Sequence, residues 1–75
     1  MENDNNILKQ VAENIRIERL KQRISQEKLA EMVDISTKYL NMIENRKANP
    51  TIVIVIKICN ALKIRLDNIY LSDVF

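Results

Sequence analysis

The chain has 75 residues, a formal net charge of +2 and 47% hydrophobic residues, which suits one small domain and argues against a disordered tail. It contains one cysteine and neither histidine nor glycine. The usual zinc sites, Ser-His-Asp triads and glycine-rich phosphate loops are therefore excluded, and we expect no enzyme, no metal and no cofactor.

The sequence gives no sign of membrane insertion or secretion. No apolar run approaches the roughly 20 residues that a membrane-spanning helix requires, and the start, MENDNN, does not resemble a secretory signal. Cys59 lies in an apolar run, as inert buried thiols commonly do. We expect a cytoplasmic protein without a membrane partner.

Charge is distributed unevenly along the chain. Basic residues outnumber acidic ones in residues 16–28 and 38–47, whereas residues 1–15 are net acidic. A basic middle suits a polyanionic partner such as nucleic acid. It equally suits a plain solvated surface, so charge alone leaves both interpretations open.

The first predicted element is a helix over residues 7–23, preceded by a flexible N-terminus at residues 1–6. Apolar side chains recur through this helix at helical spacing. Its start can be capped by one of three polar residues, Asp4, Asn5 or Asn6.

Two short helices follow, separated by a tight turn at residues 34–36. Ser25 and Ser36 are suited to cap their N-termini, and Asp34 is suited to end the first, because Asp tolerates the left-handed conformation. We expect the second helix to end near Asn45. The apolar stripe predicted for the first comprises Leu29, Met32 and Val33.

Residues 51–59, TIVIVIKIC, are ambiguous. Ile and Val favour a strand. A helix capped by Thr51 would instead place apolar residues on one face. Periodicity alone does not decide between strand and helix. That predicted face comprises Ile52, Val55, Ile56, Cys59 and Leu62. A last short helix is predicted over residues 66–72, with Leu66 and Ile69 completing the core.

Residues 37–45 have two unlike faces on a helical wheel. The apolar side carries Tyr39, Leu40, Ile43 and Glu44. Lys, Asn and Thr side chains such as those on the other side can read base edges in a DNA groove, although any surface helix also presents polar groups to water. We call that other side the polar face; it comprises Thr37, Lys38, Asn41, Met42 and Asn45.

The segment QEKLAEMVDISTKYLNMIE, residues 26–44, resembles the helix-turn-helix of lambda-repressor/Cro-like (XRE-type) regulators. Beyond the motif, KICNALKIRLDNIY is also similar to this family, and the resemblance covers about residues 10–71. The matching positions are Arg16, Arg19, Gln26, Leu29-Ala30, Ile35-Ser36, Tyr39-Leu40, Ile43-Glu44 and Asn49-Pro50.

The resemblance implies an all-α, five-helix, lambda-repressor-like domain over residues 7–75. Its helix-turn-helix core would be residues 26–45, and residues 51–75 would supply core and dimerisation contacts. Residues 51–62 would then be helical despite their strand propensity. The second helix of the motif would enter the major groove of DNA.

The same resemblance implies roles for individual residues. Base-reading candidates are Thr37, Lys38, Asn41 and Met42. Phosphate-contacting candidates are Gln26, Tyr39, Asn45, Arg46 and Lys47. Arg19 and Glu44 would form a structural ion pair between helices. Family members often carry glycine where this chain has Arg23, Asp34 and Arg46.

Apolar residues expected at the surface suggest self-association. The dimer-interface candidates are Val53, Ile54, Ile64, Val74 and Phe75. The predicted function is a sequence-specific, double-stranded DNA-binding transcriptional regulator. It would be a small repressor or dual regulator of phage, plasmid or restriction-system type, acting as a homodimer on a palindromic operator. The alternative is a protein-interaction module of the same fold, such as an antitoxin or adaptor with a protein partner.

Overall fold

The computed structural model describes residues 3–70, in which helices are the only regular elements. The four α-helices are α1 (Asp4–Lys21), α2 (Gln26–Val33), α3 (Thr37–Glu44) and α4 (Ile52–Leu62), followed by a 3-10 turn at Leu66–Asn68. The predicted all-α class is confirmed. The strand alternative for residues 51–59 is wrong.

The predicted fifth α-helix over residues 66–72 is not found within the described part of that segment. A single 3-10 turn is closed there by the Ile69 N–H, which donates to the Leu66 carbonyl at 2.9 Å. The Ile69 carbonyl accepts from Asn14 Nδ2 at 2.7 Å. Since Ile69 is fully buried against the core, tertiary contacts and not helix propensity set the course of the chain here.

Side-chain caps fix the start of every described α-helix. Ser25, Ser36 and Thr51 cap α2, α3 and α4, as predicted. For α1 the prediction is wrong: the helix begins at Asp4, and Asn3 accepts from the Asn6 N–H at 2.9 Å. Residues 4–6 therefore form the first turn of α1.

The four described α-helices all end in the same way, with a left-handed residue that is not glycine. The N–H of the following residue returns to the carbonyl five positions earlier, which is the Schellman arrangement. The left-handed residues are Arg23, Asp34, Arg46 and Lys63, with φ of 57°, 60°, 63° and 57°. Three of these, Arg23, Asp34 and Arg46, are the positions at which the resemblance implied glycine.

One hydrophobic core joins the helices. Its fully buried large side chains are Ile15, Leu29, Leu40, Ile43, Ile58, Leu62 and Ile69. Cys59 belongs to this core, and burial raises the pKa of its thiol, which keeps the thiol protonated at neutral pH. The thiol therefore has the inert character that the sequence suggested.

Several side chains predicted to be buried are exposed. Ile52 and Ile56 face solvent, because α4 is rotated so that Val55, Ile58, Cys59 and Leu62 pack inward. In α2 the buried stripe consists of Leu29, Ala30 and Val33, which leaves Met32 at its edge. Leu66 is also exposed, whereas Ile69 completes the core as predicted.

Candidate nucleic-acid interface

The helix α3 has a buried side and a solvent side. Leu40 and Ile43 are fully buried, and Glu44 is 7% exposed. Thr37, Lys38, Asn41 and Asn45 of the polar face are exposed, and Met42 is half-buried. The polar face is therefore available to a ligand along its length.

The α2–α3 turn is fixed at three points. Asp34 is left-handed, the Ile35 N–H donates to the Ala30 carbonyl at 3.0 Å, and Ser36 caps α3. The half-buried Ile35 packs against the core. This turn needs no glycine, because a single Asp supplies the left-handed conformation.

Arg19 and Glu44 form a bidentate, buried ion pair between α1 and the end of α3. Arg19 Nε donates to Glu44 Oε2 at 2.8 Å, and Nη2 donates to Oε1 at 2.9 Å. Arg19 Nη1 also donates to the Ile24 carbonyl at 2.8 Å. The guanidinium thus holds both α3 and the link between α1 and α2.

Hydrogen bonds continue from this pair to the polar face. Gln26 Nε2 donates to Glu44 Oε1 at 3.1 Å, and Asn41 Nδ2 donates to Gln26 Oε1 at 3.3 Å. Asn45 Nδ2 donates to the Asn41 carbonyl at 2.9 Å. The path Arg19–Glu44–Gln26–Asn41 therefore links α1, α2 and α3 by side chains alone.

A polar cleft of about 480 Å³ lies beside this path. Its lining residues are Glu13, Arg16, Gln26, Asn41, Glu44, Asn45 and Arg46. The sequence-based sets did not include Glu13 and Arg16. Their spacing to Arg19, in steps of three along α1, could have indicated that they share its side of the helix.

The remaining predicted phosphate-contacting residues flank α3. Tyr39 is half-buried and packs against the core. Arg46 and Lys47 are exposed in the segment after α3, and the Lys47 N–H closes that helix on the Met42 carbonyl at 2.8 Å. Thr37 and Lys38 stand at the opposite, N-terminal end of α3.

The predicted dimer residues fall into three groups. Val53 is 57% exposed, whereas Ile54 and Ile64 are half-buried and pack against the core. Val74 and Phe75 lie outside the described residues. Ile52 and Ile56 share the surface around Val53, and we call these three residues the α4 apolar face.

Other classes of site find no support in residues 3–70. No group of three or more acidic, histidine or cysteine residues is placed there to hold a metal ion. No described helix is both long enough and apolar enough to cross a bilayer. The arrangement is suited to binding a polyanion through hydrogen bonds and positive charge.

The chain is similar to a known sequence family and to solved structures. A family model described as helix-turn-helix matches residues 15–69. No curated protein sequence gives a significant match.

Three solved structures superpose closely. The restriction-modification controller protein C.AhdI from Aeromonas hydrophila is 25% identical, with a TM-score of 0.80 over 84% of this chain and 96% of that one. The controller protein C.Esp1396I is 28% identical, with a TM-score of 0.76 over 85% and 82%. The clp gene regulator ClgR from Corynebacterium glutamicum, at 19% identity, shares the fold, with a TM-score of 0.81 over 84% and 67%.

Proposed function

Since the chain belongs to the helix-turn-helix family of DNA-binding transcriptional regulators, we propose that it acts as a homodimer on a palindromic operator. The observation that carries this proposal is the polar face of α3. It is exposed along its length, while the opposite side of the same helix is locked into the core. Such a helix enters a major groove without loss of core packing.

Base reading is assigned to the polar face. Lys38 is suited to guanine O6 and N7, and Asn41 to adenine N6 and N7. Thr37 and Met42 can meet the methyl group of thymine. One helix would then read successive base pairs through the exposed Thr37, Lys38 and Asn41 and the half-buried Met42.

Phosphate binding is assigned to groups around the polar cleft. Arg16 and Arg46 bring positive charge to it, and Gln26 lies in the first turn of α2, where free backbone N–H groups attract an anion. Tyr39, Asn45 and Lys47 complete the proposed phosphate contacts. Such contacts set the position of the protein on DNA without carrying sequence information.

A controller role is the biological setting that we propose. Two of the similar structures, at 25% and 28% identity, are restriction-modification controller proteins. We extend that role to this chain as a small repressor or dual regulator of genes beside its own. The α4 apolar face, centred on Val53, would pair two copies and present two α3 helices to half-sites about 10 base pairs apart.

The first prediction concerns Lys38 and tests DNA binding itself. A preferred duplex is selected from a random pool, and its affinity is measured by fluorescence anisotropy at several salt concentrations. We expect affinity to fall steeply with salt, because each neutralised phosphate releases counterions. Lys38→Ala should lower discrimination at one base position about tenfold.

Lys21→Ala is the matched control. Lys21 lies near the end of α1, pairs with Glu18 at 3.3 Å and is 65% exposed, so its loss should leave base discrimination unchanged. Selection that enriches no sequence, together with binding insensitive to salt, would contradict the proposed function. The protein-interaction module would then be the better description.

A further inference from the structure

The hydrogen bonds between Glu44, Gln26 and Asn41 have a direction. The Glu44 carboxylate, held by Arg19, can only accept hydrogen bonds. The Gln26 side chain, 3.1 Å away, must therefore turn its NH2 group towards Glu44. Its carbonyl oxygen then faces Asn41, so Asn41 must present its own NH2 group to Gln26 at 3.3 Å.

We propose that Glu44, acting through Gln26, fixes the orientation of the Asn41 amide and thereby makes Asn41 select adenine in the operator. This inference rests on the proposed function and deepens it. Gln26 becomes a positioning residue for base recognition, in addition to the phosphate contact already assigned to it. Neither role excludes the other, because the Nε2 group has a second hydrogen.

The reversed Asn41 amide is disfavoured by the chemistry of its neighbour. It would place Asn41 Oδ1 against Gln26 Oε1, so that two acceptors met at about the present separation and a hydrogen bond was lost. Gln26 cannot reverse to accommodate it, since its own carbonyl would then meet the Glu44 carboxylate. The buried charge of Glu44 therefore determines, through Gln26, which orientation the exposed Asn41 amide adopts.

The fixed amide favours one pattern of base edges. With Nδ2 turned towards Gln26, Oδ1 is the atom available to accept from an exocyclic amino group, which adenine N6 and cytosine N4 offer in the major groove. The second Nδ2 hydrogen is left for adenine N7, so adenine is matched at two points. Guanine and thymine present acceptors at these positions and would face Oδ1 unfavourably.

The two roles of Gln26 differ in what their loss would change. Loss of a phosphate contact weakens binding to every sequence by the same factor. Loss of amide orientation changes the ratio of affinities for adenine and guanine at the base pair that Asn41 reads. The ratio therefore isolates the positioning role.

The experiment compares variants on the selected duplex and on its adenine-to-guanine derivatives. Asn41→Ala identifies the base pair by abolishing a preference for adenine, on the order of tenfold, at one position. Gln26→Met keeps the length of the side chain but cannot orient Asn41. We expect it to lower the adenine-to-guanine ratio at that same position about fivefold, the equivalent of one neutral hydrogen bond.

Two comparisons make the result specific. In the Asn41→Ala background, Gln26→Met should leave the ratio unchanged, because no amide remains to be oriented. Asn45→Ala, which removes a neighbouring amide bonded only to the Asn41 backbone carbonyl in the described contacts, should weaken all duplexes equally. A Gln26→Met protein with wild-type ratios, or no adenine preference dependent on Asn41, would overturn the inference while leaving DNA binding intact.

A spectroscopic test covers the case in which Gln26→Met does not fold. In the wild-type protein, one side-chain NH2 proton of Asn41 should exchange more slowly than those of a solvent-exposed amide such as Asn5, as measured by NMR. Equal exchange at Asn41 and Asn5 would also overturn the inference. Failure of the wild-type protein to bind any duplex would reject the proposed function and this inference together.

Discussion

Arg19 and Glu44 are the only charged residues that the structure buries within residues 3–70. Each satisfies the other, and each also bonds a second partner, Ile24 or Gln26. A buried pair of this kind adds little compared with apolar packing, but loss of one member leaves the other charge without compensation. Loss of either residue alone should therefore cost more stability than the intact pair contributes.

We predict that Arg19→Met destabilises the protein by about 3–5 kcal/mol, because Glu44 remains buried without its cation. The double variant Arg19→Met with Glu44→Leu should recover most of that loss. Chemical denaturation followed by circular dichroism measures both. A double variant no more stable than Arg19→Met alone would show that the charge left behind is not the cause.

At this scale the sequence predicted one side-chain pair but not the hydrogen bonds that continue from it. The Arg19–Glu44 pair followed from resemblance to a family. The link from Gln26 to Asn41 did not, since it depends on the distance between α2 and α3, which no local pattern encodes. Arg16 was matched to the family but given no role, because the cleft that it lines exists only once α1 is packed on α3.

The helix ends show how a chain without glycine makes tight turns. A left-handed residue with a Cβ costs roughly 1–2 kcal/mol in conformational energy, less for Asp. The Schellman hydrogen bonds and the packing of Ile24, Ile35 and Ile64 against the core offset that cost. Helix α3 is the exception, since its corresponding residue is the exposed Lys47.

Lys63→Gly should stabilise the protein by about 1 kcal/mol. The substitution relieves the strain of the left-handed conformation, and the greater loss of backbone entropy on folding glycine offsets part of that gain. For a domain of this size the net gain raises the melting temperature by about 4–8 °C. Asp34→Gly is the matched control and should gain less, because Asp already tolerates this conformation. Thermal unfolding measures both, and an unchanged or lower melting temperature for Lys63→Gly would refute the account of strain.

Arg46→Gly tests strain and phosphate binding together. We expect a similar gain in stability, because Arg46 has the same left-handed backbone as Lys63. We also expect weaker binding to all duplexes and a salt dependence reduced by about one phosphate contact. Unchanged salt dependence would remove Arg46 from the proposed phosphate contacts.

The helix α4 marks the limit of local pattern at the element scale. Ile and Val predicted a strand as readily as a helix, and only the resemblance to a family decided for the helix. We predicted the wrong buried side for α4, because the spacing of Ile52 and Ile56 puts them on one apolar face with Val55 and Cys59. Packing on α1 and α2 determines which part of that face is buried. The start of α1 was missed because several adjacent residues are equally able to cap.

At the scale of the whole molecule, two exposed surfaces differ in chemical character. The polar face of α3 and the polar cleft carry the hydrogen-bonding groups and positive charge, and the α4 apolar face carries exposed hydrophobic side chains. A small domain gains stability from covering such a face. This division is why we assign nucleic acid to α3 and a second copy of the chain to α4.

Val53→Asp should prevent self-association. Val53 is 57% exposed in the single chain, so an Asp there leaves the fold intact, but pairing would bury its carboxylate. The dissociation constant of the dimer should rise at least about 100-fold, since the effective cost of burying a carboxylate is several kcal/mol. Sedimentation equilibrium measures this change.

Val53→Thr is the milder comparison, because it keeps the shape of Val and adds a hydroxyl without charge. It should weaken pairing much less than Val53→Asp. A Val53→Asp variant that sediments as a dimer, or a wild-type protein that stays monomeric at high concentration, would place the pairing surface elsewhere or remove it.

The positions of the left-handed residues determine whether protein turnover and DNA binding can change independently. The fraction of unfolded molecules sets their exposure to proteases, and about 1 kcal/mol changes that fraction roughly fivefold. Lys63 directly follows α4 and is not among the proposed DNA contacts, so a substitution there should change stability, and with it protein turnover, while leaving base recognition unchanged. At Arg46, which we assign to phosphate binding, a substitution that changes stability would also change the affinity for every DNA sequence.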